Sequence, residues 1–189
     1  MTRESLTTTA GILLLSAAVL SAAPVHAASH QWRFNEVFST ADGTIQFIEM
    51  KECCGFTSEN ALNGKWILAV DADLQYNFPA NIAGNTANRH LLLATQAFAD
   101  LPGVPVPDFI IPEGFLPLGG ETLEYWMYVD ATWTYGAMPT DGVNSIHADG
   151  STGVNSPTNF AGESVTVSVP VTPVTWGMIK SGNPGPALP

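Results

Sequence analysis

Apolar residues recur at every second position through several short stretches of this chain, the spacing of half-buried strands rather than of helices. Residues 31–39 (QWRFNEVFS) and 44–50 (TIQFIEM) flank Thr40-Ala41-Asp42-Gly43. The Asp-Gly pair favours a tight reversal, so the two runs are predicted to form a β-hairpin. In the second run Ile45, Phe47 and Glu49 share one face, and Gln46, Ile48 and Met50 share the other. Residues 65–70 (KWILAV) read as a short strand after an Asn63-Gly64 turn. Residues 90–95 (HLLLAT) form a continuous apolar run with polar flanks, which predicts a strand buried on both faces. Two further strands are predicted over 121–129 and 131–136. If they ran on as one, Tyr125, Met127, Val129, Ala131, Trp133 and Tyr135 would face the core. Trp126, Tyr128, Asp130, Thr132 and Thr134 would then face water, unless a turn near Asp130 breaks the parity. Residues 164–169 (SVTVSV) alternate and predict a late strand.

The intervening segments read as turns and connections. Residues 53–64 form a loop, and 71–89 are polar and read as a wandering connection. Residues 97–118 carry Pro102, Pro105, Pro107, Pro112 and Pro117, which exclude a helix or a central strand and predict an extended surface crossing. Residues 138–160 are rich in turn signals, and the tail, 181–189, is Gly- and Pro-rich and expected to be disordered. Short strands punctuated by turns argue for one all-β domain over 28–180, a β-sandwich rather than a βαβ fold.

The N-terminus changes the picture. Met1-Thr2-Arg3 precedes an apolar run through Leu13, Leu14, Leu15, Val19 and Leu20, then Val25-His26-Ala27 as a small-x-small site. This predicts a cleavable secretory signal helix over residues 1–27, cut after Ala27, and a secreted or periplasmic protein. The run is shorter than the roughly 20 apolar residues a membrane span needs, although an uncleaved anchor is the alternative. No second hydrophobic span follows, so no membrane span is expected in the mature chain.

The formal net charge is −11, and Lys and Arg number six. A basic patch cannot be assembled, so nucleic acid and anionic lipid are not expected as partners. The cysteines, Cys53 and Cys54, are adjacent. Neighbouring Cα atoms lie about 3.8 Å apart, below the usual disulfide range, so a strained vicinal disulfide and two separate thiols both remain open. Neither cysteine can staple distant strands together, and the fold must rest on its hydrophobic core.

The order of the strand motifs resembles that of the lamin-tail domain, an immunoglobulin-like sandwich. Phe34-Asn35-Glu36-Val37 resembles its opening Asn-Glu strand, and Phe47-Ile48-Glu49-Met50 its Phe-Val-Glu-Leu strand. Leu62-Asn63-Gly64-Lys65-Trp66 resembles its Leu-x-Gly-Trp turn with one residue inserted. The apolar strand at 91–94, Gly120-Glu121-Thr122-Leu123, the stretch from Asp130 to Gly136, and Ser156-Pro157-Thr158-Asn159 follow in the family's order. The long proline-rich crossing, the cysteine pair and the 164–169 strand depart from the pattern. The resemblance implies an immunoglobulin-like β-sandwich used for binding or tethering, and no catalytic residues.

Candidate chemistry is sparse. His30, His90 and His147 are scattered, without an H-E-x-x-H pattern. Asp71 and Asp73, and the run Asp141, Asn144, Asp149 and Asn155, offer hard oxygen ligands, so calcium is the candidate metal if there is any cofactor at all. Turn formation explains the same residues. Glu36 and Glu49 are candidates to meet across the first hairpin. Gly150-Ser151-Thr152-Gly153 is not a nucleophile elbow. Trp126 and Tyr128, beside Asp130, offer an outward aromatic platform able to stack sugar rings or anchor a partner. The expected function is an exported, non-catalytic binding or adhesion module for a protein or surface polymer, displayed on loops 71–89 and 97–118. The competing expectations are an exported hydrolase, metal-assisted, with His90 or His147 converging on a carboxylate, and a carbohydrate-binding module.

Overall fold

The computed structural model describes residues 29–170. The signal segment, its cleavage at Ala27 and the tail at 181–189 lie outside the described residues. Two sheets pack face to face as an all-β sandwich. The larger holds β1 (Trp32–Ser39), β2 (Gln46–Glu52), β5 (His90–Ala94), β6 (Phe109–Ile110), β9 (Asn144–His147) and β10 (Thr152–Val154) in the order β10-β9-β1-β2-β5-β6. The smaller holds β3 (Trp66–Ala69), β4 (Leu74–Asn77), β7 (Glu121–Tyr125) and β8 (Thr132–Tyr135) in the order β4-β3-β7-β8. Neighbours are antiparallel except β5 and β6.

The β1–β2 hairpin closes through the Asp42-Gly43 turn, with the Thr40 amide donating to the Ile45 carbonyl at 3.0 Å. A bulge at Asn35 interrupts its register: Phe34 pairs with Met50, and Glu36 with Glu49. The extra residue flips the parity of β1. Trp32 and Phe34 therefore face the space between the sheets, and so does Val37 beyond the bulge, whereas Phe38 turns to the opposite side. Ile48, Met50, Leu91, Leu93, Ile67, Leu123 and Tyr125 complete the inter-sheet core.

The large sheet is buried on its outer face too. Phe38, Phe47, Leu92 and Ala94 pack there against Phe98 and Val167. β5 thus sends Leu91 and Leu93 one way and Leu92 and Ala94 the other, as its continuous apolar run predicts. Phe98 comes from α1 (Gln96–Ala99), a single turn whose Phe98 amide donates to the Thr95 hydroxyl.

Several expectations are corrected. The 71–89 segment contains β4, paired along its length with β3. The 138–160 segment contains β9 and β10. The proline-rich crossing does more than skirt the surface: Phe109, Ile111, Phe115 and Leu116 are buried in the core, β6 adds an edge strand, and α1 lies at its start. Residues 164–169 do not form a strand. The Val167 amide bonds to the Asn155 side chain and the Val169 amide to the Gly142 carbonyl, leaving an isolated bridge at Ser164 with Thr158. The 121–136 stretch is not one strand either. β7 ends at Tyr125, a 3-10 turn spans Val129–Ala131, and β8 starts at Thr132. Met127, expected in the core, is 72% exposed.

Candidate functional site

Alternation along the small sheet sets up its outer face. Ile67, Leu123 and Tyr125 point inward, so Trp66, Leu68, Glu124 and Thr132 point outward. Register brings them together, because Leu68 pairs with Glu124 and Glu124 with Thr132. At the end of β7 the chain turns sharply. Trp126 adopts φ +53°, left-handed backbone that costs a non-glycine residue on the order of 1–3 kcal/mol and concentrates at functional positions. Its amide donates to the Trp66 carbonyl at 2.8 Å, which holds the turn in place.

The result is a cleft of about 230 Å³ lined by Trp66, Glu124, Trp126, Met127, Tyr128 and Thr132. The Trp66 and Trp126 rings lie 6.0 Å apart, tilted at 47°. The Lys65 ammonium stands 5.0 Å from the Trp126 ring centre, within cation–π range. Burial pulls the Lys65 pKa down, opposed by the Glu59 carboxylate. Burial raises the Tyr128 phenol, and Glu59 adds to the effect. The aromatic row continues past the cleft: Tyr128 lies 5.9 Å from His30, and His30 lies 6.4 Å from Phe56, which is 50% exposed. Glu59, itself buried, fixes this row by accepting from the Gln31 amide at 2.9 Å.

Beyond Phe56 lies the cysteine loop, where the structure joins Cys53 and Cys54 by a disulfide. Among the described residues, Glu52, Cys53 and Cys54 are the group of three ligand-type side chains within metal-binding reach of one another. The Glu52 carboxylate is already saturated, however. It accepts from the amides of Cys54, Gly55, Phe56 and Asn88 at 2.9, 2.8, 3.2 and 2.7 Å. Burial acts to raise its pKa, but these donors outweigh it and hold the carboxyl below the ordinary glutamate value.

The anticipated meeting of Glu36 and Glu49 does occur, on the outer face of the large sheet. They are direct cross-strand partners, 0% and 1% exposed. His90 Nδ1 lies 2.8 Å from Glu49 Oε1, and His147 Nδ1 lies 4.0 Å from Glu36 Oε2. Protein donors fill both carboxylates. Glu36 accepts from the Ser145 hydroxyl at 2.6 Å and from the Ser156 amide at 3.0 Å. Glu49 accepts from the Asn35 side chain and from the Thr158 amide at 2.6 Å. Burial raises the Glu36 pKa despite the Ser145 and Ser156 bonds, and the Glu49 charge adds to it. A substrate or water would have to displace these donors to reach either oxygen.

Other expected ligands separate. Asp141 and Asn144 share one turn, with the Asn144 amide donating to Asp141 Oδ1 at 2.7 Å, whereas Asp149 caps the Ser151 amide past the far end of β9. Asn155 is buried and spends its amide on the Val143 and Val167 carbonyls. The calcium trio therefore does not assemble. His30 lies on the aromatic row, apart from His90 and His147 on the carboxylate pair. Asp130 is exposed and does not line the cleft that Trp126 and Tyr128 help to form. Sequence reasoning missed Trp66, Glu124, Met127 and Thr132. Strand alternation places Trp66, Glu124 and Thr132 outward, but only the β3–β7–β8 register brings them together.

No protein-family model, curated protein or solved structure matches this chain. Among the described residues no helix is long and apolar enough to cross a membrane.

Proposed function

We propose that this protein is an exported, non-catalytic binding module of lamin-tail-like type, whose aromatic cleft docks a neutral sugar ring of a surface polysaccharide. The carrying observation is the pairing of Trp66 with Trp126 over a shallow cleft, with Trp126 held in costly left-handed backbone. Indole faces offer flat apolar area to the C–H face of a pyranose. Glu124, Thr132 and the Tyr128 hydroxyl supply hydrogen-bonding groups at the rim. The cleft is smaller than the roughly 300 Å³ at which drug-sized pockets begin, which fits a single ring. A net charge of −11 disfavours an acidic polymer.

The lamin-tail reading gains support from one convergence. Glu36 and Glu49, from two of the resembling motifs, accept from the Ser156 and Thr158 amides, which carry a third, and Asn35 donates to Glu49. The motif residues thus act as one buried polar network, a structural use that agrees with a module free of catalytic groups.

The test is a pull-down of the purified protein on insoluble neutral polysaccharides, with tryptophan fluorescence titrated against soluble fragments. Trp126→Ala and Tyr128→Ala should each weaken binding at least tenfold while leaving the far-ultraviolet circular dichroism unchanged. Retention by both variants equal to that of the parent would remove the cleft from the explanation.

A further inference from the structure

We infer that the Cys53–Cys54 pair is a thiol–disulfide exchange site, taking a low-molecular-weight thiol as co-reactant, and not a structural crosslink. The argument begins with connectivity. A bond between neighbours encloses no chain segment, so it removes almost none of the loop-closure entropy through which disulfides stabilise folds. Its two residues are exposed, outside both buried hydrophobic clusters. Exposed and strained disulfides are the ones that exchange.

The second observation is that the loop is held without the sulfurs. Glu52 takes the amides of Cys54, Gly55, Phe56 and Asn88. The Glu52 amide donates to the Arg89 carbonyl at 2.9 Å, and the Cys53 amide to the Gln31 carbonyl at 3.0 Å. Backbone anchors therefore survive opening of the ring. The third observation concerns the reduced form. Cys53 Sγ lies 3.3 Å from Gln31 Oε1, an acceptor that a disulfide sulfur cannot use and a thiol can. The site is furnished for both redox states.

The exchange balances without a metal. An external thiolate attacks one cysteine sulfur, forming a mixed disulfide. The S–S bond between Cys53 and Cys54 breaks, and the departing thiolate takes a proton. A second external thiol attacks the mixed disulfide, its sulfur bonding to the first external sulfur, and the remaining cysteine leaves and is protonated. Two thiols are oxidised to one disulfide, and the pair gains two electrons and two protons.

The experiment equilibrates the purified full chain in glutathione buffers of graded redox ratio, traps thiols by alkylation, and counts them by mass spectrometry. Hydrogen exchange is followed alongside. Two alkylatable thiols per chain are expected in reducing buffer under native conditions and none after re-equilibration with oxidised glutathione before trapping, with core protection unchanged. Thiols that appear only in denaturant, or core protection lost on reduction, would overturn the inference. The double substitution Cys53→Ser with Cys54→Ser should keep the urea midpoint of the parent, and a lower midpoint would make the bridge structural. Gln31→Ala removes the acceptor and should shift the balance toward the disulfide by a few-fold. No shift would show that the Gln31 side chain takes no part in the exchange.

Discussion

Glu36 and Glu49 face each other across the first hairpin, both buried, yet their amide replacements should have opposite effects on stability. The difference lies in what each oxygen touches. Glu36 Oε1 accepts from the Ser145 hydroxyl and the Ser156 amide, while Oε2 meets the Ser156 hydroxyl, at 3.1 Å, which can itself accept. In Glu36→Gln the carbonyl keeps both strong bonds, the new NH2 faces an acceptor, and a buried charge with a like-charged neighbour disappears. Glu49 has donors on both oxygens: Asn35 Nδ2 and His90 Nδ1 on Oε1, and the Thr158 amide on Oε2. In Glu49→Gln the carbonyl stays on the Thr158 amide and the new NH2 faces Asn35 Nδ2 and His90 Nδ1, so a donor meets a donor until Asn35 flips and His90 changes tautomer. Losing a charge-assisted bond and stranding a buried amide costs about 2–4 kcal/mol. For a domain of this size that lowers the melting temperature by about 3 °C per kcal/mol.

The pH dependence adds a second signature. Because burial raises the Glu36 pKa in the fold, the native state holds a proton that the unfolded chain has released above the ordinary value of 4.5. That contribution is fully present below 4.5 and is lost as pH rises through the elevated folded value. Glu36→Gln should remove this part of the slope, read as the difference between variant and parent urea curves as pH rises above 4.5. The expected result is Glu36→Gln at or above parental stability at neutral pH, with Glu49→Gln well below it. Glu36→Gln falling as far as Glu49→Gln, or Glu49→Gln within 0.5 kcal/mol of the parent, would refute the donor accounting.

Three further outcomes follow from the packing. Trp126→Gly should be about 1 kcal/mol more stable than Trp126→Ala by urea denaturation, because glycine relieves φ +53° and alanine does not. Phe98→Ala should cost about 3–5 kcal/mol, since Phe98 is fully buried in the outer cluster with its ring centre 5.6 Å from that of Phe47; a loss below 1 kcal/mol would detach that layer from the cooperative unit. In Gly142→Ala the new Cβ would collide with the Val169 carbonyl oxygen at φ +78°, so the Val167 and Val169 amides should lose hydrogen-exchange protection, whereas Gly150→Ala, at φ +81° with open space around it, should leave them protected.

The parts of the fold that could be read from sequence were those where one residue pattern had one interpretation. HLLLAT is apolar on every position, and a strand covered on both faces is its direct reading. The Asp42-Gly43 reversal fixed the first hairpin closely enough to set Glu36 opposite Glu49. Legibility failed where the backbone chose partners the pattern cannot encode. SVTVSV alternates well, but Asn155 and Gly142 take its amides, and only Val167 and Val169 turn inward. LQYN and NSIH carry no clear alternation and still pair, because β3 and β1 offer them open edges. Prolines correctly spoke against a helix through most of 97–118, yet they hid the four apolar residues between them that fill the core. The cleft was half legible. Alternation pointed Trp126 and Tyr128 outward on the assumption of a continuous strand. In the fold the left-handed turn at Trp126, and not strand parity, lays its ring beside Trp66.

The acidity of the chain has an internal explanation that bears on the site. Buried and half-buried carboxylates here are matched less by cations than by backbone amides. Glu52 collects four, Glu121 takes Asp71, Ala72 and Thr122, Asp108 takes Leu92 and Phe160, and Glu59 takes His30 and Gln31. Glu52, Glu121 and Asp108 each join a loop to a strand, and Glu59 joins a loop to the segment leading into β1, at points where backbone amides would otherwise lack acceptors, and an amide-solvated carboxylate needs no Lys or Arg. A chain with six basic residues can therefore order long connections. The consequence reaches the cleft, because Glu59 seats His30 against Tyr128 and Glu52 seats Phe56 against His30. The same buried acids that stand in for basic residues in holding the loops thus set the geometry of the aromatic row, and rigidity at the site follows from them and not from the disulfide beside it.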